Sequence, residues 1–177
     1  MGYAVEMFFD DHTEKILVHI QQRLKEKGLP SFMLAEGVKP HLSLCVYDDL
    51  DAVRAEALVK DFCARERRFK VFLGFFGTFV SGENVIFAAP VMNEPLRTIH
   101  LRFHQAFKET AKSAWPYYLP GNWQPHCTLA VELDEHEYLD VFKSIRDDFK
   151  PMEATLESIG LVKFRPVELV SEYPLQT

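Results

Sequence analysis

The sequence has few cysteines, no long hydrophobic run and no excess of basic residues, and each shortage excludes a class of protein. Three cysteines occur in 177 residues without a CxxC pair, so we expect free thiols, a reducing compartment and no structural zinc. The apolar runs, such as residues 71–76, are too short to cross a bilayer as a helix. The first residues lack the basic and apolar regions of a signal peptide. We therefore expect a cytoplasmic protein that does not enter a membrane.

The balance of charge argues against partners that carry many phosphates. The chain has 20 Lys and Arg against 26 Asp and Glu, a formal net charge of −6. Non-specific affinity for duplex nucleic acid comes from many basic contacts to phosphates, which an acidic protein supplies poorly. We therefore expect no duplex DNA partner, and if the ligand is a nucleotide, a small one or a short RNA end. We also expect a monomer.

Hydrophobic periodicity predicts a single α+β domain over residues 1–177. This length fits one domain, or two small lobes that share a core. Apolar alternation with a period of two predicts strands at 3–9, 40–47, 69–80, 84–91, 126–133, 154–164 and 167–173. Helical periodicity predicts helices at 13–27, at 52–65, from 93 onward and from 134 to about 149.

Turn and cap residues support these boundaries. Residues 81–84 read as a hairpin-like turn, and Thr13 is predicted to cap the first helix. Asp134 and Glu137 resemble a capping box at the last helix. The two halves, about 1–91 and 92–177, look like imperfect copies of one unit. We therefore predict two pseudo-symmetric lobes.

A short phrase occurs twice in the chain. Pro40-His41-Leu42-Ser43-Leu44 returns as Pro125-His126-Cys127-Thr128-Leu129, and the two histidines are 85 residues apart. Residues i and i+2 of a strand share a face, so each histidine points the same way as the hydroxyl that follows it. Each proline falls at the first strand position, where a missing N–H is tolerated. Each copy therefore predicts a buried strand that presents a histidine and a hydroxyl to a cleft.

Two imidazoles and two hydroxyls are the groups that metal-free phosphoryl transfer needs. Imidazole has an ordinary pKa of about 6.5, so it serves as acid or base near neutral pH. Hydroxyls can donate to the non-bridging oxygens, where charge gathers in the transition state. We therefore predict that His41 and His126 are the acid and base, and that Ser43 and Thr128 hold the phosphoryl oxygens. No metal or cofactor is expected, and the histidines should face each other.

The duplicated motif, the length and the half-chain spacing resemble the two-histidine (2H) phosphoesterase superfamily, which includes 2′,5′ RNA ligase-like proteins and cyclic nucleotide phosphodiesterases. Residues 4–10 and 159–162 also resemble family strands, so the resemblance covers essentially the whole chain. It implies antiparallel-rich sheets around a central cleft, with helices outside. It also implies action on 2′,3′-cyclic phosphates or 2′–5′ phosphodiester bonds. The family motif more often has Thr at the position of Ser43, which still supplies the hydroxyl.

Aromatic residues crowd the segment before the second motif. At least one of Trp115, Tyr117, Tyr118 and Trp123 is predicted to stack on a nucleobase, as aromatic side chains do for unpaired bases. Trp123, the nearest in sequence to His126, and Tyr118 are the predicted substrate contacts. The alternative is a loop held in place by its own aromatic rings. Under strict alternation Tyr47 shares a face with His41, so it either lines the cleft or caps the core. Arg165 is predicted to offset phosphate charge, with a surface position as the alternative.

Other polar residues leave alternatives open. Glu6 either orients a catalytic histidine or occupies an exposed strand position. His100 and His104, four apart on a helix, suit a metal site, but a solvated helix face is favoured. A non-catalytic module that binds phosphorylated nucleotide or RNA ends is the alternative to an enzyme, and a metallohydrolase is the third hypothesis.

Overall fold

The computed structural model describes residues 2–79, 84–109 and 113–177, so the predicted turn at 81–84 lies largely outside the described residues. Within these ranges the chain forms seven strands and five α-helices. The strands are β1 (Gly2–Phe9), β2 (His41–Tyr47), β3 (Phe69–Thr78), β4 (Ile86–Pro90), β5 (Cys127–Ala130), β6 (Met152–Phe164) and β7 (Glu168–Pro174). The helices are α1 (Asp11–Glu26), α2 (Phe32–Ala35), α3 (Ala52–Cys63), α4 (Glu94–Ala106) and α5 (Glu135–Asp148).

One open sheet contains all seven strands, and every strand pair is antiparallel. The order is β2-β1-β6-β3-β4-β5, with β7 also paired to β6. If β1 is exchanged with β4, β2 with β5 and β3 with β6, the same order is obtained in reverse. The sheet is therefore approximately two-fold symmetric in its strand order. The predicted α+β fold with two pseudo-symmetric, antiparallel lobes is thus confirmed.

Strand β6 joins the two lobes. Residues 152–156 pair with β3, and residues 158–163 lie between β1 and β7. We call β1, β2, β7 and the later part of β6 the first lobe, and β3, β4, β5 and the start of β6 the second. Because β4 takes the place of β1 in this symmetry, the strand order favours a second repeat that begins with β4. The division at 91 and 92 stays a prediction.

The apolar faces of the helices and the sheet form one core that spans both lobes. Helix α1 packs against α5, and α3 packs on β6 and β7. Among the helices of the described ranges, none is long and apolar enough to cross a membrane. Strand β5 is shorter than the predicted 126–133, and Glu132 beyond it adopts a left-handed φ of 61°. The four-residue helix α2 had no clear periodic signal.

A β-bulge interrupts the first motif at its last residue. Glu6 lies opposite Ser43, but the preceding Val5 lies opposite Cys45, so Leu44 is an extra residue in β2. An extra residue kinks the strand and reverses which side chains face each side of the sheet.

The second motif carries the same bulge at the same place. Phe87 lies opposite Thr128, and Ile86 lies opposite Ala130, so Leu129 is the extra residue in β5. The repeated leucine therefore ends the stretch over which each motif alternates.

The bulge explains why Tyr47 does not line the cleft. Beyond Leu44 the alternation is reversed, so Val46 lies on the side of His41, and Tyr47 is fully buried in the core. Of the two alternatives that the sequence left open, the core position is the one observed, and the assignment of Tyr47 as a substrate contact is wrong.

The helix caps were predicted in part. Asp134 and Glu137 form the expected capping box at α5. The cap of α1 is Asp10 rather than Thr13: one Asp10 carboxylate oxygen accepts from the Thr13 backbone N–H at 3.0 Å. The other accepts from the Thr155 backbone N–H at 2.7 Å, so Asp10 ties α1 to β6. Although burial raises the pKa of Asp10, the hydrogen bonds from Thr13 and Thr155 hold it below its usual range.

We expect Asp10→Ala to lower the free energy of unfolding by about 2 kcal/mol, because it removes a helix cap and leaves the Thr155 N–H without its acceptor. Urea denaturation measures the loss. The matched control is Asp51→Ala, which removes the cap of α3 to the Arg54 N–H alone and should cost about 1 kcal/mol. Equal losses in the two variants would contradict the linking role of Asp10.

Candidate active site

The two motif strands stand at opposite ends of the strand order, yet they contact each other. The sheet curls so that the edges β2 and β5 meet. Burial raises the pKa of the Cys127 thiol to about 12, while a hydrogen bond with the His41 backbone opposes that rise. The charge of His41 also acts on the pKa of His126. The structure thus brings both motifs to one place at the open edges of the sheet.

The His41 ring is fixed by two contacts. Its Nδ1 lies 2.7 Å from the backbone oxygen of Lys39, two residues earlier. A carbonyl oxygen only accepts, so Nδ1 carries a hydrogen in this contact. The opposite nitrogen, Nε2, lies 3.3 Å from Oε1 of Glu6, and the His41 side chain is 13% exposed. Nε2 is therefore the nitrogen left for proton transfer.

The His126 ring has the same backbone contact and different neighbours. Its Nδ1 lies 2.7 Å from the oxygen of Gln124, again two residues earlier, so Nε2 is again free for chemistry. The rings of Phe79 and Phe87 pack against it, with centroids 4.8 Å and 5.3 Å away. Burial lowers the pKa of His126, with a further lowering by the charge of His41 and an opposing effect of the Gln124 hydrogen bond.

Glu6 is a buried carboxyl on the floor of this site. It sits on β1 opposite Ser43 and is only 6% exposed, so the exposed position that the sequence left open is excluded. Burial raises the pKa of Glu6, and the charge of His41 opposes that rise. Across β1, its neighbour on β6 is Gly160, where a Cβ would clash with the Phe8 ring at 2.7 Å. The absence of a side chain at Gly160 thus makes room for Phe8, which lies opposite His41.

A cavity of about 330 Å³ opens beside His41 in the first lobe. Glu6, His41 and Ser43 contribute polar groups to its lining. Most of the remaining lining is apolar: Ala4, Phe8, Phe32, Met33, Val38, Val46, Trp115, Val162, Phe164, Val167 and Leu169. A largely apolar wall with a few converging polar groups is the usual make-up of a small-molecule site.

The second lobe has a packed cluster at the corresponding place. Phe87 and Ala89 of β4 form a small apolar cluster with Val85, which directly precedes the strand, and with Phe79 and Val131. In the strand symmetry Phe87 corresponds to Glu6, because each lies opposite the hydroxyl residue of its motif. The site is therefore asymmetric: one histidine adjoins a carboxyl and a cavity, and the other adjoins aromatic rings.

Trp123 supports the first motif from behind. It is 8% exposed, and its Nε1 donates to the Ser43 backbone oxygen at 3.0 Å. Its ring stacks on His100 with a centroid distance of 3.9 Å. Trp123 is therefore a member of the buried core, a position that argues against its predicted stacking on a nucleobase. His100 is 3% exposed, so the predicted solvated helix face is also wrong for it.

The remaining predicted contacts are placed as follows. Tyr118 is half-buried against the core, and its backbone oxygen lies 2.9 Å from Nε2 of both His100 and His104. Arg165 is exposed in the turn between β6 and β7, next to the cavity residue Phe164. Substrate contacts by Tyr118 and Arg165 stay predictions. Within the described ranges, no group of three or more His, Cys, Asp or Glu is arranged to hold a metal.

The sequence left the role of Glu6 open between two alternatives, and it did not point to Trp115 as a substrate contact. Trp115 lines the cavity, is 37% exposed and donates from Nε1 to Asp48 at 2.8 Å. A bridge between Tyr47 and Ala114 places it beside the end of β2. An acidic residue in an otherwise apolar strand was the available signal for Glu6. Proximity in sequence to His126 favoured Trp123, but pairing with the other motif strand brings Trp115 to the cavity.

Comparison with known proteins agrees with this architecture. The family model described as the 2′-5′ RNA ligase superfamily matches residues 8–168. A search of the curated proteins found no match. The Thermus thermophilus protein TT0787 is similar in structure, with a TM-score of 0.63, 18% identity and coverage of 99% of this chain and 98% of that one.

Escherichia coli LigT is similar in two complexes. The complex with 3′-AMP has a TM-score of 0.61 and 14% identity, and covers 99% of this chain and 98% of that one. The complex with ATP has a TM-score of 0.60 and 12% identity, with the same coverage. At these identities the likeness establishes the fold.

We expect Trp123→Phe to lower the free energy of unfolding by about 1 to 2 kcal/mol, because it removes the donor to the partly buried Ser43 backbone oxygen. Thermal and urea unfolding measure the loss. The control is Trp115→Phe, which removes a donor at an exposed site and should change stability by less than about 0.5 kcal/mol. A Trp123→Phe protein of unchanged stability would contradict the supporting role.

Proposed function

We propose that this chain, which belongs to the 2′-5′ RNA ligase superfamily, is a metal-independent phosphoesterase. Membership supports a phosphoesterase or ligase-type activity on RNA. The proposed substrates are 2′,3′-cyclic phosphates and 2′–5′ phosphodiester bonds in nucleotides or short RNA ends. The observation that carries this proposal is the meeting of two histidine–hydroxyl motifs on contacting edge strands, each ring directing Nε2 away from its own backbone.

The proposed hydrolysis needs one proton acceptor and one proton donor. Nε2 of one histidine accepts a proton from water as the water oxygen bonds to phosphorus. Nε2 of the other gives its proton to the ribose oxygen as the bond from phosphorus to that oxygen breaks. The hydroxyls of Ser43 and Thr128 donate to the non-bridging oxygens, where charge increases. The reverse of these steps is ligation.

His126 is the better candidate for the base. Burial among aromatic side chains lowers its pKa, so the ring stays neutral at pH values where an ordinary histidine becomes protonated. A neutral Nε2 has the lone pair that accepts a proton from water. His41, beside the carboxyl of Glu6, is then the acid.

The ligand is proposed to occupy the cavity in the first lobe. Its volume and its lining suit a small ligand, and Trp115 presents an exposed aromatic ring for stacking. LigT has been crystallised with 3′-AMP and with ATP, which supports a nucleotide as the ligand of this chain. A monomeric cytoplasmic protein with no cofactor belongs to the same proposal.

We expect His41→Ala and His126→Ala each to lower kcat on 2′,3′-cyclic nucleotides by about 10² to 10⁴, because each removes a proton-transfer group. Product release in the presence of EDTA is the measurement, and circular dichroism checks the fold. The control is His19→Ala, at an exposed position on α1, which should retain full activity. Loss of wild-type activity in EDTA, or full activity in either motif variant, would contradict the proposal. Tight binding without turnover by the wild type would favour the binding module instead.

We expect the acid limb of the pH profile of kcat/KM to have its midpoint below pH 6.5. The base must be neutral to act, and burial lowers the pKa of His126, so activity falls only when the pH drops below that lowered value. Initial rates between about pH 4.5 and 8 measure the limb. Replacing Phe87 by Ala exposes the ring and should move the midpoint upward; an acid limb at or above pH 6.5 in the wild type would contradict His126 as the base.

A further inference from the structure

We propose that Glu6 is a positioning residue that keeps a proton on Nε2 of His41 and thereby commits His41 to the role of general acid. The inference rests on the function proposed above and adds a third group to the two motifs. Glu6 lies outside both motifs, on the neighbouring strand β1.

The hydrogen-bond geometry of His41 requires a proton at this contact. Nδ1 already directs its hydrogen to the Lys39 carbonyl, which can only accept. If Nε2 and the Glu6 carboxyl both lacked a proton, two lone pairs would face each other across 3.3 Å inside the protein. One proton between Nε2 and Oε1 turns this repulsion into a charge-assisted hydrogen bond. The pair therefore stores one proton at the nitrogen that faces the site.

The second lobe has no carboxyl group at the matching position. Phe87 stands opposite Thr128 where Glu6 stands opposite Ser43. The ring of His126 packs on Phe87 and Phe79, and its Nδ1 binds the Gln124 oxygen as His41 binds Lys39. The two histidines thus share a tautomer-fixing contact and differ in what adjoins them. This single difference distinguishes the proton donor from the proton acceptor.

The groups around Glu6 leave His41 as its ionic partner. From β5, the Cys127 thiol stays protonated because burial raises its pKa. From β6, the facing residue is Gly160, which has no side chain. Lys39 directs its ammonium group to Glu172, 3.0 Å away, and over the ring of Phe8.

Three further groups complete these surroundings. Burial and the charge of His41 both lower the pKa of His126. Ser43 lies opposite Glu6, and Glu36 lines the same cavity. Neither Ser43 nor Glu36 bears a positive charge. The proton shared by this pair therefore moves only between Glu6 and His41.

The reaction step is balanced with this proton. His126 Nε2 takes one proton from the attacking water as the oxygen–phosphorus bond forms. His41 Nε2 releases its proton to the leaving ribose oxygen as the other oxygen–phosphorus bond breaks. His41 is then neutral and His126 is charged, and exchange with solvent restores the starting state. The Glu6 carboxylate favours the return of a proton to His41, while His126 gives its proton to solvent.

The test is Glu6→Gln, which keeps the shape of the side chain and removes its negative charge. We expect kcat on a 2′,3′-cyclic nucleotide to fall about tenfold, with a smaller change in KM. The alkaline limb of kcat should move to lower pH, because without the carboxylate His41 loses its proton more readily. Glu6→Asp retains the charge and should restore the position of this limb. A merely structural role would lower activity without moving it.

The matched control is Glu66→Gln, which alters another buried carboxyl that pairs with Arg102 outside the site. It should leave the pH profile of kcat unchanged. If Glu6→Gln does not fold, Glu6→Asp is compared with the wild type and with Ser43→Ala. Both variants keep a carboxylate at position 6. The alkaline limb should therefore stay at its wild-type pH in both, although Ser43→Ala has lost the hydroxyl.

A second measurement separates this inference from the proposed function. The ring nitrogens of His41 are titrated by ¹H–¹⁵N NMR without substrate, in the wild type and in Glu6→Gln. Loss of the Nε2 proton at lower pH in the variant supports the pairing even if no tested phosphoester is hydrolysed. An active enzyme in which Glu6→Gln moves neither the titration nor the alkaline limb overturns the inference and leaves the proposed function standing. If no tested phosphoester is hydrolysed and the titration of His41 is also unchanged in Glu6→Gln, both the proposed function and this inference are wrong.

Discussion

The approach of β2 to β5 is the constraint on which the site depends. These strands are the two ends of one sheet, and no further described strand pairs with either of them on its outer side. The outer side of β2 is partly covered by hydrogen bonds from Trp115 and Trp123. Sheet twist and the shared strand β6 curl the sheet until its ends meet. Contact between Cys127 and the His41 backbone closes the arrangement. Sheet edges are elsewhere a risk for aggregation, but here the two edges face each other across the cleft.

The approximate symmetry of the two lobes is what makes their differences informative. Both lobes repeat the motif, the bulge after the hydroxyl residue and the backbone contact of the histidine. They differ in the groups that surround each histidine. The first lobe keeps a carboxyl and an open cavity, and the second fills the same place with phenylalanine. In the proposed reaction, this difference makes one histidine the proton donor and the other the proton acceptor.

Local patterns predicted the elements and the motif faces, because strand alternation and helix periodicity depend on near neighbours. They could not reveal the bulge at Leu44, since an extra residue is defined by its partner strand, and Tyr47 was misplaced for that reason. Trp123 and His100 were misjudged because a buried stacking pair joins α4 to a loop distant in sequence. Glu6 was recognisable as unusual, but only the pairing of β1 with β2 places it beside His41.

The ring of each motif histidine is oriented by a carbonyl only two residues upstream, across the proline that opens its motif. The acceptor therefore moves with the histidine that it orients. Any opening or closing of the lobes would change the gap between the rings and leave the hydrogen on the same nitrogen of each ring. The proposed proton transfers would then use the same pair of nitrogens whatever the width of the cleft.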